Sequence, residues 1–157
     1  MLRICSICAT EKNLQDFNQS NRCRYPFSYD RDCKVCVAAK KRKEHLKKRF
    51  NITEEDYQFL LNRQNGVCAL CQFSVLDRLS NSRIGKPFVL CIDHDHTHKP
   101  HPITTRGCRD CIRGLLCYYC NAILLPFLEK NPSLQKEIVK QYLCNRPLLG
   151  EDAMRKQ

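Results

Sequence analysis

The 157-residue sequence lacks any long hydrophobic run. No stretch approaches the roughly 18 consecutive apolar residues that a membrane-spanning helix requires, so we expect no membrane insertion. The first residues, Met-Leu-Arg-Ile-Cys, also lack the apolar segment and the small-residue cleavage site of a secretion signal. We therefore expect a protein of the cytoplasm or nucleus that is not secreted.

Acidic side chains are also scarce. The chain has 16 Asp and Glu residues against 27 Lys and Arg residues, which gives a net charge of +11. The excess is uneven, because residues 1–50 contain 13 basic and only 5 acidic side chains. A protein with this charge is suited to bind a polyanion, and nucleic acid is the first candidate.

Cysteine is abundant, with 13 residues. An odd number cannot all pair as disulfides, and clustered thiols in a reducing compartment are typical of metal sites. Three cysteines, Cys23, Cys91 and Cys144, stand alone, and we expect them to behave as small hydrophobic residues. The other ten form five Cys-x2-Cys pairs: Cys5/Cys8, Cys33/Cys36, Cys68/Cys71, Cys108/Cys111 and Cys117/Cys120.

Two such pairs complete one tetrahedral zinc site. Cys5, Cys8, Cys33 and Cys36 therefore predict a zinc ribbon, and the aromatic residues between the two pairs suit a short hairpin with a small core. The alternative is a surface loop with reduced thiols.

A stretch without proline or glycine, from Lys34 to Phe50, predicts a basic helix. Besides Lys34, seven basic side chains lie in it against one acidic residue: Lys40, Lys41, Arg42, Lys43, Lys47, Lys48 and Arg49. We expect this helix to contact the phosphate backbone of a nucleic acid, without reading its sequence. The alternative is an ordinary solvated helix face.

Two more helices are expected. Residues 51–56 resemble a cap with an acidic first turn and predict a helix that ends before Gly66. Near the end of the chain, Asn131-Pro132 predicts the start of a helix in which Leu134, Ile138 and Tyr142 recur every four residues and pack on the preceding domain.

One apolar strand, residues 88–92, ends abruptly in Asp93-His94-Asp95-His96. An Asp oxygen can hold a hard divalent cation, and a neutral His can take a proton from water. Neighbouring side chains point to opposite faces of a regular strand, so Asp93 and His94 can act on one phosphate only if the strand ends or twists there.

A second informative segment runs from Arg113 through Cys117 and Cys120 to Asn121, whose amide offers a carbonyl oxygen to a metal. If Cys68, Cys71, Cys117 and Cys120 share one zinc, the ion fixes the helix that carries Asn121 against the strand that carries Asp93. Four thiolates close the shell of that zinc, so its role would be structural. Arg113 is a candidate phosphate clamp, and a local bond to a carbonyl is the equal alternative.

Together, Cys68-x2-Cys71, Asp93-His94-Asp95-His96 and Arg113-Gly-Leu-Leu-Cys117-x2-Cys120-Asn121 resemble the phage recombination endonuclease VII family of HNH, or ββα-metal, nucleases. The resemblance covers residues 53 to about 147. It implies a β-hairpin followed by a helix, with Asp93 and Asn121 as ligands of a catalytic Mg²⁺ or Mn²⁺ and His94 as the general base. It implies hydrolysis of DNA to 5′-phosphate and 3′-hydroxyl ends. Because a His that acts as a base must be neutral, we expect the activity to fall below roughly pH 6.

The expected architecture is therefore a small α+β protein. It comprises a zinc ribbon over 1–37, a basic helical linker over 38–52, an HNH endonuclease domain over 53–147 and a flexible tail over 148–157. Two structural zinc ions are expected. His98, His101, Cys108 and Cys111 could form a third zinc site. The alternatives are free thiols or a site in which Cys108 and Cys111 pair with one of the other Cys-x2-Cys pairs. Leu125-Pro126, where related sequences often have glycine, predicts that the active-site helix kinks or ends there.

Several choices stay open at this level. The DNA cleavage could be general, sequence-specific as in restriction or homing enzymes, or directed at branched DNA. A homodimer would let one site per chain cut both strands. Rival interpretations are a non-catalytic zinc-finger DNA-binding protein, which has no use for Asp93, His94 and Asn121 together, and a zinc scaffold for protein partners, which leaves the positive charge unexplained.

Overall fold

The computed structural model describes residues 1–19, 28–74, 89–98 and 107–148. The chain divides into two compact units, Met1–Leu46 and Lys47–Gln157. The described residues form short antiparallel strand pairs and helices, which is the expected α+β class. The division lies within the helix Lys34–Phe50. Of the two boundaries predicted on this side of the nuclease domain, the one after residue 37 also lies within that helix, and the one after residue 52 follows it.

The first unit contains two hairpin-like strand pairs. β1 (Leu2–Ile4) pairs antiparallel with β2 (Glu11–Asn13), and β3 (Phe17–Gln19) pairs antiparallel with β4 (Tyr29–Cys33). A 3₁₀ turn over Leu14–Asp16 connects the pairs. The small core consists of Phe17 with the buried cysteines Cys5 and Cys33, and Tyr29 and Cys36 pack against it.

Helix α1 covers Lys34–Phe50, as its lack of proline and glycine predicts. It ends where Asn51 adopts a left-handed backbone conformation (φ 54°) and its N–H donates to the Lys47 carbonyl.

The second unit opens with α2 (Glu54–Arg63), also confirmed in position. The Thr53 hydroxyl accepts a hydrogen bond from the Asp56 N–H, and the Asp56 carboxylate accepts one from the Thr53 N–H, which forms a capping box. Gly66, with φ 72°, follows the helix end as expected. The Tyr57 hydroxyl donates to the Leu90 carbonyl at 2.9 Å and ties α2 to the residue before the next strand.

The central hairpin is formed by β5 (Cys91–His94) and β6 (Ile112–Leu116), which pair antiparallel. A 3₁₀ turn over Arg109–Cys111 precedes β6. The Gln64 side chain covers β6, because its amide accepts from the Leu115 N–H at 2.8 Å and donates to the Leu115 carbonyl at 2.8 Å. Gln64 thus satisfies backbone groups of this strand as a neighbouring strand would.

A helical segment follows β6. It contains a π-helical stretch, Cys120–Leu124, and continues as α3 (Leu125–Lys130). The helix therefore does not end at Pro126, as one form of the prediction had it. The irregularity lies just before the proline, where the Leu125 N–H bonds the Cys120 carbonyl across a widened turn.

The last helix differs from its prediction. Pro132–Leu134 form a 3₁₀ turn, and α4 begins only at Glu137 and ends at Leu143. Of the three residues predicted to pack, Tyr142 is buried but Leu134 and Ile138 are exposed, and Val139 is the other buried residue of the helix. The helix does pack on the central hairpin, through Tyr142.

The predicted flexible tail lies outside the described residues except for Leu148, which is buried. Among the described helices, none combines the length and the apolar character needed to cross a membrane.

Candidate functional site

The first cysteine cluster brings together the predicted ligands Cys5, Cys8, Cys33 and Cys36, whose sulfurs all lie within 4.8 Å of one another. Hydrogen bonds with the backbone of Cys8 and Cys33 lower the pKa of the Cys5 thiol to about 6. The neighbouring Cys33 side chain and burial raise the pKa of Cys36 to about 12. Thiols packed this closely cannot all ionise without a cation, and four thiolates suit Zn²⁺.

The second cluster joins two predicted pairs across the fold. The sulfurs of Cys68, Cys71, Cys117 and Cys120 lie within 4.8 Å of one another. The Cys71 and Cys117 sulfurs are 3.8 Å apart, the separation of about 3.8 Å expected for two thiolates on one tetrahedral zinc. Burial and the Cys117 side chain raise the pKa of Cys120, which again shows thiols that require a cation to ionise together. Both clusters fit structural zinc.

The two clusters share one backbone design. In each, the residue after the first Cys pair has a positive φ: Ala9 at 52° and Gln72 at 58°. The Ala9 N–H donates to the Cys5 carbonyl at 3.0 Å, and the Gln72 N–H donates to the Cys68 carbonyl at 2.9 Å. In each, the second Cys pair lies where a strand passes into a helix.

Asp93 and His94 lie at the end of β5, and the strand pairing is irregular at that point. Asp93 faces Gly114, but His94 faces Ile112, so Arg113 is an extra residue on β6. β5 also ends at His94, so the strand is no longer regular where the predicted pair Asp93 and His94 lies. Both are buried, at 3% and 8% exposure, although they are polar.

The Asp93 carboxylate is held by two side chains. Arg113 donates from Nε to Oδ2 at 2.8 Å and from Nη2 to Oδ1 at 3.2 Å, and the Tyr142 hydroxyl donates to Oδ2 at 3.0 Å. Burial and the negative charge of Asp93 raise the pKa of Tyr142, so this phenol stays protonated as a donor. Each carboxylate oxygen can accept two bonds, so these contacts leave Oδ1 one acceptor position within the described part of the chain.

The Arg113 side chain bonds several groups inside the protein. Besides Asp93, it bonds the Glu129 carboxylate at 2.9 Å and the His94 carbonyl at 3.1 Å. Burial alone would lower the pKa of Arg113, but Asp93 and Glu129 outweigh it and raise the pKa. The Arg113 side chain is almost fully buried, and its bonds include the local bond to a carbonyl that the sequence offers as one of two alternatives.

Close packing explains why the residue opposite Asp93, Gly114, is a glycine. A Cβ at this position would lie 3.0 Å from Gln64 Oε1 and 3.2 Å from Tyr142 Cε2, so a larger residue would displace side chains that support the hairpin.

His94 is packed by rings and backbone. Its imidazole meets the Phe50 ring edge to face at 5.6 Å and the His96 ring at 4.3 Å. A Cβ on Gly107 would lie 3.0 Å from His94 Cδ2, so the backbone at Gly107 closes one side of the ring. His96 is exposed and is positioned next to His94.

Asp95 stabilises the turn after β5. Its carboxylate accepts bonds from the Thr97 N–H at 2.8 Å and the Thr97 hydroxyl at 2.7 Å, and it pairs with Arg146 at 2.5 Å. Burial raises the pKa of Asp95, but Thr97 and the charges of Arg146 and Arg113 outweigh it, and the pKa falls below its usual value. These contacts give Asp95 a role in stabilising the turn.

Asn121 follows Cys120 directly, in the π-helical stretch, with a partly exposed side chain. Its N–H donates to the Cys117 carbonyl at 2.9 Å. Asn121 is thus the residue next to one cysteine of the second cluster and is bonded through its N–H to another.

A third group of donors also gathers. His98, Cys108 and Cys111 offer one Nδ1 and two sulfurs within 4.8 Å of one another. His101, the fourth residue predicted for this site, lies outside the described residues.

The basic side chains of α1 are mostly exposed. Lys40, Lys41, Lys43, Lys47 and Lys48 are open to solvent, and Arg42 and Arg49 are partly buried. Lys47 Nζ also donates to Asn51 Oδ1 at 2.7 Å.

Sequence reasoning missed four residues that support the site. Tyr142 was expected only as a packing residue, and Gln64, Glu129 and Arg146 were not singled out. A tyrosine on a predicted buried face is a usable signal, because a buried hydroxyl needs an acceptor. The other three form long-range contacts that no local pattern indicates.

Comparison with known proteins identifies a family. The family model described as recombination endonuclease VII matches residues 43–145, which include α1 from Lys43, the central hairpin and α4. No curated protein and no solved structure matches.

Proposed function

The chain belongs to the recombination endonuclease VII family, and we propose that it is an HNH-type DNA endonuclease that requires a divalent cation. The proposal rests on the irregular pairing at the end of β5. There, buried Asp93 and His94 face Ile112 to Gly114 of β6, and the helix that begins after β6 carries Asn121. This β-hairpin followed by a helix is the ββα arrangement that the family resemblance implies.

The donor chemistry suits a hard cation. Asp93 Oδ1 has one acceptor position left after the bond from Arg113, and Asn121 offers an amide oxygen. Oxygen ligands of this kind suit Mg²⁺ or Mn²⁺. Such an ion, when bound, neutralises charge on the scissile phosphate and stabilises the leaving 3′ oxygen. Asp93 and Asn121 would hold it.

His94 is the proposed general base. It removes a proton from the water whose oxygen attacks phosphorus. The bond from phosphorus to the 3′ oxygen breaks, its electron pair stays on that oxygen, and the oxygen takes a proton from solvent, which gives 5′-phosphate and 3′-hydroxyl ends. The contacts with Phe50 and Gly107 hold its ring in one orientation. The role of Arg113 in this scheme is to hold Asp93 and, through the His94 carbonyl, the backbone beside the base.

The remaining parts of the proposal concern binding. Two structural zinc ions stabilise the two cysteine clusters. Exposed lysines of α1 contact DNA phosphates without reading the sequence. Two copies of the chain, acting as a homodimer, would cut both strands.

A plasmid assay tests the proposal. Supercoiled plasmid and a synthetic four-way junction are incubated with the protein in Mg²⁺, in Mn²⁺ or in EDTA. We expect nicking or linearisation with either metal and none in EDTA. Discrete products would indicate sequence-specific cutting, a smear would indicate general cutting, and preferred cleavage of the junction would indicate branched DNA as the substrate.

Asn121→Ala is the matching variant, with the exposed Gln141→Ala as its control. Asn121→Ala should bind DNA but cut at least 10-fold more slowly at low Mg²⁺, with partial recovery at high Mg²⁺. Wild-type protein that shifts DNA but never cuts it in either metal would contradict the proposal and favour a zinc-dependent DNA-binding protein.

A further inference from the structure

Three potential metal ligands, His98, Cys108 and Cys111, lie close together beside the His94 ring. They belong to neither of the two four-cysteine clusters. His98 follows β5, and Cys108 and Cys111 precede β6. Cys108 and His98 are partly buried, and Cys111 is fully buried. Residues from two separate stretches of the chain therefore converge at one point, and all three are of the types that bind zinc.

The geometry matches a tetrahedral zinc. Cys108 Sγ lies 3.5 Å from His98 Nδ1, and zinc bond lengths at a tetrahedral angle place a sulfur and a nitrogen about 3.6 Å apart. The three donor atoms lie within 4.8 Å of one another, the same limit that holds for both four-cysteine clusters of this chain. The Cys108 N–H also donates to Cys111 Sγ at 3.0 Å.

The choice of metal follows from the ligands. Thiolate and imidazole donors favour Zn²⁺, whereas Mg²⁺ and Mn²⁺ favour oxygen. The site is thus chemically distinct from the one proposed at Asp93 and Asn121. Three protein ligands leave the fourth position of a tetrahedron for water or another donor.

We propose that His98, Cys108 and Cys111 bind a third zinc ion, which joins the turn after β5 to the turn before β6. The two turns are already linked by the bond from the Asp95 N–H to the Cys111 carbonyl, at 2.9 Å. Arg109, in the same 3₁₀ turn, pairs with Asp56 of α2 at 2.5 Å and anchors that turn to the rest of the unit.

The zinc would hold His94 in place. A Cβ on Gly107 would lie 3.0 Å from His94 Cδ2 and 3.3 Å from Cys111 Sγ, so the residue before Cys108 is wedged between the imidazole and the buried ligand. Metal binding therefore fixes the backbone that closes one side of the His94 ring. His98, Cys108 and Cys111 are positioning residues, and this second part of the inference rests on the proposed function.

Zinc content tests the site directly. The full chain is purified under reducing conditions, dialysed against zinc-free buffer, and analysed for zinc per chain by mass spectrometry. We expect three ions in the wild type, two in Cys111→Ser and two in a Cys5→Ser/Cys8→Ser reference variant. The exposed Cys144→Ser is the matched control and should keep three.

His98→Asn is a second variant, because Cys111 is fully buried and its replacement alone could prevent folding. It should hold two ions and keep the secondary structure of the wild type by circular dichroism. Two ions in the wild type, or three in both His98→Asn and a folded Cys111→Ser, would overturn the third site.

Cleavage kinetics test the positioning role. In His98→Asn, kcat should fall about 10- to 100-fold while KM and DNA affinity stay within about 2-fold, because the variant disturbs a support of the base and not the DNA contacts. An unchanged kcat with one zinc lost would contradict the positioning role. If the wild type cuts no DNA at all, the proposed function fails, while the zinc counts still decide the site.

Discussion

Arg113 and Asp93 form a buried, two-point ion pair across the central hairpin, with N–O distances of 2.8 and 3.2 Å. Arg113 reaches Asp93 because it is the extra residue in β6, opposite the step from Asp93 to His94. The pair orients the carboxylate and balances its charge in a region with almost no solvent access. It also connects the carboxylate to the His94 backbone, since Arg113 bonds the His94 carbonyl.

Arg113→Met should therefore destabilise the protein strongly. The change leaves Asp93 charged, buried and without its cationic partner, which costs about 3–5 kcal/mol. The measurement is denaturant unfolding at a fixed, saturating zinc concentration. Arg31→Met, at an exposed arginine, should change the free energy of unfolding by no more than about 0.5 kcal/mol. Equal unfolding midpoints for Arg113→Met and the wild type would show that the pair does not contribute as described.

Asp95 predicts a loss of stability in acid. Its pKa in the folded protein lies below the ordinary value of 3.8, so ionised Asp95 stabilises the fold at higher pH. That contribution is complete above about pH 5 and is lost as the pH falls through the folded pKa. The difference in stability between wild type and Asp95→Asn should shrink below about pH 4. The exposed Asp16→Asn is the control and should show no such change; a difference independent of pH would refute the assignment.

The sequence predicts the helices whose signals are local. The stretch from Lys34 to Phe50 contains no breaker, and the Thr53 capping box marks the start of α2; both helices lie where these patterns place them. The prediction for the last helix is less accurate, because a four-residue spacing of apolar residues also fits exposed positions. Leu134 lies in a 3₁₀ turn and Ile138 faces solvent, since the buried face is decided by contacts of Val139 and Tyr142 with the rest of the unit.

The candidate site is predictable in its residue types but not in its contacts. Cys-x2-Cys spacing identifies both four-cysteine clusters, because a knuckle turn needs only local sequence. The pairing of Asp93 with Arg113 and Tyr142 joins residues 20 and 49 positions apart and depends on a bulge that leaves no local signature. Both four-cysteine clusters have a residue with positive φ directly after their first Cys-x2-Cys pair, Ala9 in one and Gln72 in the other. This shared backbone conformation is likewise not indicated by the residue types.

Gly107→Ala should reduce activity more than stability. The added Cβ would lie 3.0 Å from His94 Cδ2, so the imidazole must shift by a few tenths of an ångström or more. Because small displacements of a catalytic group are costly, we expect kcat to fall at least 10-fold while DNA affinity is retained. Single-turnover cleavage and a binding assay on the same preparation give the answer. Full activity would mean that the ring is not held by this contact.

The basic helix predicts the salt dependence of DNA binding. Replacing Lys40, Lys41 and Lys43 by Gln should weaken binding to all sequences similarly. It should also reduce the slope of log affinity against log salt by up to about 3, since each neutralised phosphate contributes about 0.9. Lys136→Gln/Lys140→Gln, at exposed positions of α4 and its N-cap, is the matched control. Equal slopes for both variants would remove α1 from the DNA interface.

The most direct test of the account is cleavage of supercoiled plasmid in Mg²⁺ by the wild type and by His94→Ala, measured together with DNA affinity, zinc content and thermal unfolding. We predict that His94→Ala binds DNA and zinc as the wild type does, unfolds cooperatively, and cuts at least 100-fold more slowly. Normal cutting by a folded His94→Ala protein would contradict the assignment of the base and, with it, the proposed site at the end of β5.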